Sequence, residues 1–273
     1  MTVIETIQTR RSVRTYNGEP LQEAHVAQIK QFINQIEAPF GIKARIELIS
    51  IKTSEKPIRL GTYGWIKGAS DYLALVYEEA PFAETGAAYL FEQVLLFCTG
   101  LGLGTCWLGG SFSRSDFKKQ LTLQPGERLR IVSPVGYAGD KKRFLEKYIV
   151  RADKNHASRK PFEELFFNEN FENPLTTTAA GIYLKPLEMV RLAPSANNKQ
   201  EWRVLVKDDM LHFYKKPYIR FDTIDIGIAL CHFELTCREL GIAGYYESLT
   251  GYPDGEKLEY VTSWIRVNTQ DAL

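Results

Sequence analysis

Two segments of the chain share one pattern, and this repetition constrains the fold more than any other feature. The first is ETGAAYLFEQVLLFCTGLGLGTCW at residues 84–107, and the second is DIGIALCHFELTCRELGIAGYY at residues 225–246. Each begins with an acidic residue two positions before a glycine, continues as an apolar run with helical spacing, and ends in glycine. Because the second run is apolar on two sides, the pattern predicts long helices that are buried in a core.

A second correspondence precedes each predicted helix. EAPFGIKARIELISI, starting at Glu37, and LAPSANNKQEWRVLV, starting at Leu192, both join an Ala-Pro step to a small or polar stretch and then to a predicted strand. Strands are predicted at residues 44–51, 71–77, 128–139, 202–208 and 210–216. Since two signals recur in the same order, duplication is favoured over chance resemblance of two α+β segments.

The boundary between the two halves is predicted in the polar stretch at residues 166–181. This gives a first half at residues 1–172 and a second, shorter half at residues 173–273. Together the halves are expected to form one compact unit.

Composition excludes several classes of protein. The chain of 273 residues is 44% hydrophobic, enough to bury a core, and its formal net charge of +1 argues against binding of nucleic acid. Four cysteines without a CxxC pair, and no export leader, favour reduced thiols and a cytoplasmic location. No apolar run approaches the roughly 18 residues that cross a bilayer, so no membrane partner is expected.

The N-terminal stretch TRRSVRTY concentrates positive charge around one hydroxyl group. Arg10, Arg11 and Arg14 flank Ser12, and three guanidiniums this close repel one another unless water or an anion lies between them. One interpretation is a solvated, charged turn. The other is a phosphate-binding segment, because the planar fork of arginine pairs two phosphate oxygens at once. The residues alone leave both interpretations open.

A loop rich in small and amide side chains occupies residues 193–202, with the sequence APSANNKQEW. Pro194 and Ser195 predict a turn, and the amides of Asn198 and Gln200 both donate and accept hydrogen bonds. Such amides match the edge of a heterocycle with alternating donors and acceptors. They equally suit a loop whose amides satisfy one another.

Glycines crowd the segment GLGLGTCWLGGSF at residues 100–112. Their spacing is similar to GxGxxG, but they follow a predicted helix, whereas the dinucleotide fingerprint lies between a strand and a helix. That function is therefore rejected. The remaining interpretations are glycines that end a helix, or backbone at Leu108, Gly109 and Gly110 that a flat ligand can approach.

Histidines give no sign of a metal site. The four histidines are scattered without ligand spacing, and no Ser-His-Asp arrangement can be argued from sequence. They are His25, His156, His212 and His232. We expect no metal and no catalytic side chain.

Four stretches together carry a family resemblance: RRSVRTY, GLGTCWLGG, SRKPFEELF at residues 158–166, and APSANNKQEW. They resemble the FMN-dependent nitroreductase family, in particular its tandem branch, in which two nitroreductase-like halves are fused into a single-chain pseudo-dimer. The resemblance covers almost the whole chain. It implies an α+β, nitroreductase-like fold with antiparallel-rich sheets flanked by helices and two related halves.

The resemblance also implies ligand contacts. The FMN phosphate would be bound by Arg10, Arg11, Ser12, Arg14 and Arg159, the isoalloxazine ring would contact Pro194, Ser195, Ala196 and Asn198, and the backbone at Leu108, Gly109 and Gly110 would lie beside the flavin. The first half has Pro39 and Phe40 where the ring loop would continue, and the second half has no Arg-Arg-Ser segment. One FMN per chain is therefore expected.

The implied activity is oxidoreduction with NAD(P)H as co-substrate and a nitroaromatic, a quinone or a similar acceptor, in a ping-pong cycle. The cofactor would carry the hydride, so no catalytic side chain is required. Two alternatives stay open at this point. One is a flavin-binding or sensing protein without turnover, and the other is a specialised flavin reaction, such as dehalogenation, on the same fold.

Overall fold

The structure, a computed structural model, describes residues 1–51, 60–139, 158–217, 221–252 and 257–267. The chain divides into two compact units. Unit 1 comprises Met1 and Thr9–Lys154, and unit 2 comprises Thr2–Gln8 and Asn155–Leu273. The units and the predicted halves are different divisions of the chain, because compactness and repetition are separate properties. The halves at 1–172 and 173–273 stay a prediction.

Unit 1 is built on a four-stranded antiparallel sheet with the order β1-β2-β4-β3. The chain starts with helix α1 (Val3–Thr9), most of which belongs to unit 2. The elements of unit 1 are α2 (Glu23–Ile33), a 3-10 turn (Pro39–Gly41), β1 (Ala44–Ser50), β2 (Asp71–Glu78), α3 (Ala83–Gly100), β3 (Gly104–Thr105), α4 (Arg114–Lys118) and β4 (Glu127–Gly136).

Unit 2 is built on a six-stranded sheet with the order β6-β5-β7-β8-β10-β9. Strand β5 runs parallel to β7, and the other pairs are antiparallel. Its elements are β5 (Phe166–Asn168), β6 (Asn170–Pro174), α5 (Leu184–Leu192), a 3-10 turn (Ala196–Asn198), β7 (Trp202–Lys207), β8 (Met210–Lys215), α6 (Asp222–Glu239), β9 (Gly244–Glu247) and β10 (Glu259–Arg266). Within unit 2, the Glu239 carboxylate accepts the N–H groups of Val3 and Ile4 at the start of α1.

The five predicted strands form β1, β2, β4, β7 and β8, and the two predicted buried helices are α3 and α6. The polar stretch at residues 166–181 contains β5 and β6. Most residues of α3 and α6 are buried, 14 and 13 of 18, as the two-sided apolar pattern predicts. The expected α+β class, with antiparallel-rich sheets and helices, is therefore confirmed.

Both long helices end in the same way. At the end of α3, the N–H of Leu103 donates to Cys98 O at 2.9 Å, and Gly102 has a left-handed φ of 78°. The end of α6 repeats this arrangement around Gly241, with φ 72°. Glycine occupies this position because it has no Cβ to oppose left-handed backbone.

The order of elements in unit 1 recurs in unit 2. In each unit, a helix leads through an Ala-Pro step to a 3-10 turn, followed by two antiparallel strands, an 18-residue helix, a short strand and a long strand. Each 3-10 turn has a left-handed residue at its centre, Phe40 in unit 1 and Asn197 in unit 2. The strand orders β1-β2-β4-β3 and β7-β8-β10-β9 are equivalent.

Each unit has its own aromatic core contacts. In unit 1, Phe91 packs edge-on against Trp107, with ring centroids 5.1 Å apart. In unit 2, Phe233 of α6 makes edge-on contacts with Phe213 and Trp264, at 5.2 and 5.5 Å. Edge-to-face geometry is favourable because the positive ring edge meets the negative ring face.

Across the described ranges, no helix is both long enough and apolar enough to span a bilayer.

Candidate functional site

The arginine-rich segment is attached to unit 1 through its backbone. The N–H of Val13 donates to Thr105 O at 2.8 Å, and the N–H of Lys67 donates to Arg14 O at 2.9 Å. Ser12 also pairs with Thr105 in a parallel bridge. These bonds hold the segment as an added strand, and alternate residues of a strand point to the same side. Ser12 and Arg14 therefore share one side of it.

Gly104 allows this close attachment. A Cβ atom at Gly104 would lie 2.8 Å from Cβ of Val13, which is closer than unstrained carbon atoms approach. The glycines of GLGLG thus have structural roles at two positions, Gly102 in ending α3 and Gly104 in receiving the arginine-rich segment.

Replacing Gly104 by alanine is expected to reduce the free energy of unfolding by about 1–3 kcal/mol, since the added methyl group overpacks against Val13. Chemical denaturation measures the effect. The double variant Val13→Ala/Gly104→Ala should lose less than the sum of the two single changes, because alanine at position 13 lacks the two γ-methyl groups that would lie 2.8 and 2.9 Å from the added Cβ. Strict additivity would contradict the proposed contact.

Arg10 is buried beside a buried acid. Its side chain is 5% exposed, and its Nε lies 3.9 Å from Oε1 of Glu92, whose side chain is fully buried. Oε2 of Glu92 accepts from Trp107 Nε1 at 2.7 Å. Nε and Nη1 of Arg10 have no hydrogen-bond partner among the described residues. A solvated turn does not describe this residue, and buried donors without acceptors fit a bound anion such as phosphate.

Arg11 differs from Arg10 in its surroundings. It is exposed, and it lines a cleft of about 280 Å³ in unit 1. Neither Arg10 nor Arg14 is among the described residues that line this cleft. The described residues that line the cleft are Met1, Thr9, Arg11, Val13, Thr99, Gly102, Leu103, Gly104 and Ala138.

The pKa of the Cys106 thiol shows which residues of this segment lie close enough to act on it. Burial raises the pKa of Cys106, whereas the charge of Arg14, a hydrogen bond from Ser12 and the charge of Arg10 lower it. Arg10, Ser12 and Arg14 therefore act on the same point in unit 1. All four cysteines are buried free thiols, as predicted.

The backbone at residues 108–110 offers two of the three predicted amide groups to a ligand. Leu108 exchanges both backbone hydrogen bonds with Val132, donating at 2.9 Å and accepting at 3.1 Å. Gly109 O accepts from Arg114 Nη2 at 3.2 Å. The amide groups of Gly109 and Gly110 donate no hydrogen bond within the described part of the chain. They are the candidates for an N–H contact with a flat ligand.

In unit 2, the loop that starts at Pro194 is held by its own side chains. Ser195 Oγ accepts the N–H of Gln200 at 3.0 Å. Asn197, Asn198 and Gln200 all have left-handed backbone, with φ of 51°, 54° and 51°. Asparagine tolerates this conformation better than most residues, which explains its place in the loop.

The two amide side chains of this loop are occupied within unit 2. Asn198 Nδ2 donates to Ser158 O at 2.8 Å, and its Oδ1 accepts from Arg159 Nη1 at 2.6 Å. Gln200 Oε1 accepts the N–H of Lys160 at 2.9 Å, and its Nε2 donates to Asn198 O at 3.1 Å. The sequence left two interpretations open. These amides fit the second one, a loop whose amide groups form hydrogen bonds within the protein.

Arg159 stabilises the same loop through hydrogen bonds. Beyond Asn198, its guanidinium donates to Leu192 O at 2.9 Å and to Ala193 O at 3.3 Å. These contacts connect the SRKP segment to the start of the loop. The predicted contact of Arg159 with a phosphate stays a prediction.

Asp225 is a residue of this loop site that the sequence did not assign. Its carboxyl group lies in the first turn of α6 and accepts the N–H of Ala196 with both oxygens at 3.0 Å. Burial, with a smaller contribution from the charges of Asp222 and Glu201, raises the pKa of Asp225 to about 8 against the lowering effect of the Ala196 N–H. The acidic residue two positions before a glycine in each repeat was the signal that could have identified it.

The stability of the protein should depend on pH through Asp225. Its pKa in the fold exceeds the ordinary value of 3.8, so the unfolded chain releases the proton first. This group therefore lowers the free energy of unfolding as pH rises from about 4 to about 8, and adds no change above that. Asp225→Asn removes this titration. In urea denaturation, the free energy of unfolding of the variant should therefore increase relative to that of the natural protein as pH rises across this range. A constant difference between the two would contradict the assignment.

No three of the described histidine, cysteine, aspartate and glutamate residues group together as metal ligands. His156 lies outside the described residues. His212 is buried, with Nδ1 2.7 Å from Ser263 Oγ and Nε2 3.2 Å from Lys207 O. Its hydrogen bonds account for it as a core histidine.

The sequence model of the family described as "Putative TM nitroreductase" matches residues 2–237. The chain therefore belongs to this nitroreductase family. No curated protein matches the sequence.

The chain is also similar to solved structures. A structure described as a putative nitroreductase from Thermotoga maritima has a TM-score of 0.61 and 22% identity, over 97% of this chain and 94% of that chain. A nitroreductase family protein from Clostridium novyi gives 0.42 and 17%, over 54% of this chain and 92% of that chain. A nitroreductase with bound FMN from Bacteroides fragilis gives 0.41 and 16%, over 53% and 92%. The Thermotoga structure supports the nitroreductase-like fold over nearly the whole chain.

Proposed function

We propose that this protein is an FMN-dependent oxidoreductase that uses NAD(P)H as hydride donor. The observation that carries the proposal is the buried guanidinium of Arg10, whose Nε and Nη1 have no hydrogen-bond partner among the described residues. Ser12 and Arg14 share its electrostatic surroundings at Cys106. Membership in a nitroreductase family makes the FMN phosphate the anion to expect there.

In this proposal the residues take the binding roles that the family resemblance implies. Arg10, Ser12 and Arg14, with Arg11 at the surface, bind the phosphate, and Arg159 adds a positive charge while bracing its own loop. The ring contacts Pro194, Ser195, Ala196 and Asn198. An amide N–H of Gly109 or Gly110 donates to the ring, since that of Leu108 already pairs with Val132.

Bound FMN would supply hydride acceptance and donation, which no side chain provides. The chain's own residues bind and orient the cofactor, and the Gly109 or Gly110 amide stabilises negative charge where it develops on the ring. NAD(P)H and an oxidised acceptor, such as a nitroaromatic or a quinone, would use the site in turn. The proposed acceptor class follows from the family resemblance.

The recurring order of elements supports a tandem origin, in which the two halves form a single-chain pseudo-dimer. We expect one FMN per chain, because in sequence Phe40 follows the Ala-Pro step of the first repeat, whereas Ser195 follows that of the second. The second repeat, in turn, has no arginine-rich segment before its Ala-Pro step.

The test of the proposal is flavin content and turnover of the full chain. The protein loaded with FMN should hold about one FMN per chain and should oxidise NADH or NADPH steadily when a nitroaromatic or quinone is supplied. Protein stripped of flavin is the control and should be inactive. Bound FAD, or two FMN per chain, would contradict the site. Tight FMN binding without turnover under any acceptor would favour a flavin-binding or sensing role.

A further inference from the structure

We propose that Asp225 is the positioning residue of the ring loop: its carboxyl group fixes the backbone at Ala196 and thereby sets the affinity for the flavin ring. The proposal rests on the proposed function, because it takes the loop at residues 194–198 as the ring contact. Asp225 itself is not proposed to touch the flavin.

The geometry of the contact is specific. Both carboxyl oxygens of Asp225 lie 3.0 Å from one backbone nitrogen, that of Ala196. Ala196 begins the 3-10 turn, directly after Ser195 in extended conformation. The carboxyl group therefore acts at the point where the loop changes direction.

The loop needs such an anchor because two successive residues have left-handed backbone, which even asparagine adopts less readily than ordinary backbone. Asn197 and Asn198, which follow Ala196, are both left-handed, and each such residue is held by its surroundings instead of by intrinsic preference. Arg159 holds both ends of the loop, through Ala193 O and Asn198 Oδ1. Asp225 holds the loop between these two points, at Ala196.

Asp225 is placed to make the anchor depend on protonation. It is buried, and the charged groups that act on it are Asp222 of the same helix and Glu201 before β7. Asp222 is itself paired with Lys215 of β8, at 2.8 Å. An ionised carboxylate accepts a hydrogen bond more strongly than a neutral carboxyl group does. The loop should therefore be held more firmly above the pKa of Asp225 than below it.

The chain offers a matched control in unit 1. Glu84 occupies the equivalent position two residues before a glycine in α3, where its Oε1 accepts from Tyr77 OH at 3.1 Å and pairs with Arg130 Nε at 3.1 Å. The turn of the first repeat has no proposed flavin role. Glu84→Gln therefore changes an equivalent acid without touching the ring loop.

The experiment measures the affinities of the full chain for riboflavin and for FMN by fluorescence titration, between about pH 6.5 and about pH 9.5. Riboflavin isolates the ring, because it has no phosphate to bind or to titrate. For the natural protein, affinity for riboflavin should rise through about pH 8. Asp225→Ala should weaken both ligands about tenfold above that pH, the size of one lost charge-assisted hydrogen bond.

Asp225→Asn keeps the volume and one acceptor, so it guards against misfolding of the alanine variant. Its affinity for riboflavin should not change with pH. That affinity should equal the natural protein's at low pH and be weaker than the natural protein's at high pH. Glu84→Gln should keep the natural profile. Asp225→Asn with unchanged affinity and an unchanged pH profile would overturn the positioning role, as would a loss for FMN that riboflavin does not share.

The two proposals fail in different ways. If the natural protein binds neither riboflavin nor FMN, the proposed function is wrong and the positioning role falls with it. If the natural protein binds both and the Asp225 variants match it at every pH, only the positioning role is wrong.

Discussion

Replacing Arg14 by alanine is expected to weaken FMN binding about 10- to 100-fold, the range for loss of a hydrogen bond to a charged group. Only the side chain is lost, because the contact of Arg14 with Lys67 is made by its backbone oxygen and survives the change. The free energy of unfolding of the flavin-free protein should therefore change little.

Riboflavin separates phosphate binding from a general loss of structure. Its affinity should be unaffected by Arg14→Ala, because it has no phosphate. Arg128→Ala is a matched control in unit 1, since Arg128 is an exposed arginine whose partner, Glu79, is also exposed. Equal losses for riboflavin and FMN would show that Arg14 does not serve the phosphate.

Replacing Arg10 by alanine is expected to destabilise the flavin-free protein by about 3 kcal/mol, in contrast to Arg14. The reason is burial: the change removes a cation next to Glu92, whose carboxylate is fully buried in α3. From the sequence alone, Arg10 and Arg14 would be expected to act alike on the phosphate, with little effect on the fold. The structure separates them, and gives Arg10 a second role in the core.

Chemical denaturation of the flavin-free protein measures this effect. The double variant Arg10→Ala/Glu92→Gln should recover part of the lost stability, because a neutral amide no longer requires a nearby cation. If Arg10→Ala is as stable as Arg14→Ala, the ion pair with Glu92 contributes little and Arg10 serves only the ligand.

The long helices and five of the strands could be predicted because their periodicity is local. Strand β10 was not predicted, since Thr262 and Ser263 are buried in it and interrupt the apolar pattern that marks a strand. Tertiary pairing with β8 and β9 decides that element. The same limit applies to β3, which is only two residues long.

In the candidate site, the sequence supplied the residue types but not their contacts. Arg159 was expected at a phosphate from its motif, whereas its contacts with Ala193 and Asn198 join residues 34 and 39 positions away. Asp225 and Ala196 are 29 positions apart. Such pairings follow from the sheet and helix arrangement, which periodicity alone does not provide.

The hold of Glu239 on the first turn of α1 has a consequence for how the chain acquires its structure. Residues 2–8 precede unit 1 in the chain, whereas Glu239, whose carboxylate binds Val3 and Ile4, follows it. Assembly of unit 2 needs chain segments from both before and after unit 1, whereas the strands of unit 1 can pair before Glu239 has been synthesised. A tag fused at the N-terminus would therefore slow the last step of folding more than one fused at the C-terminus.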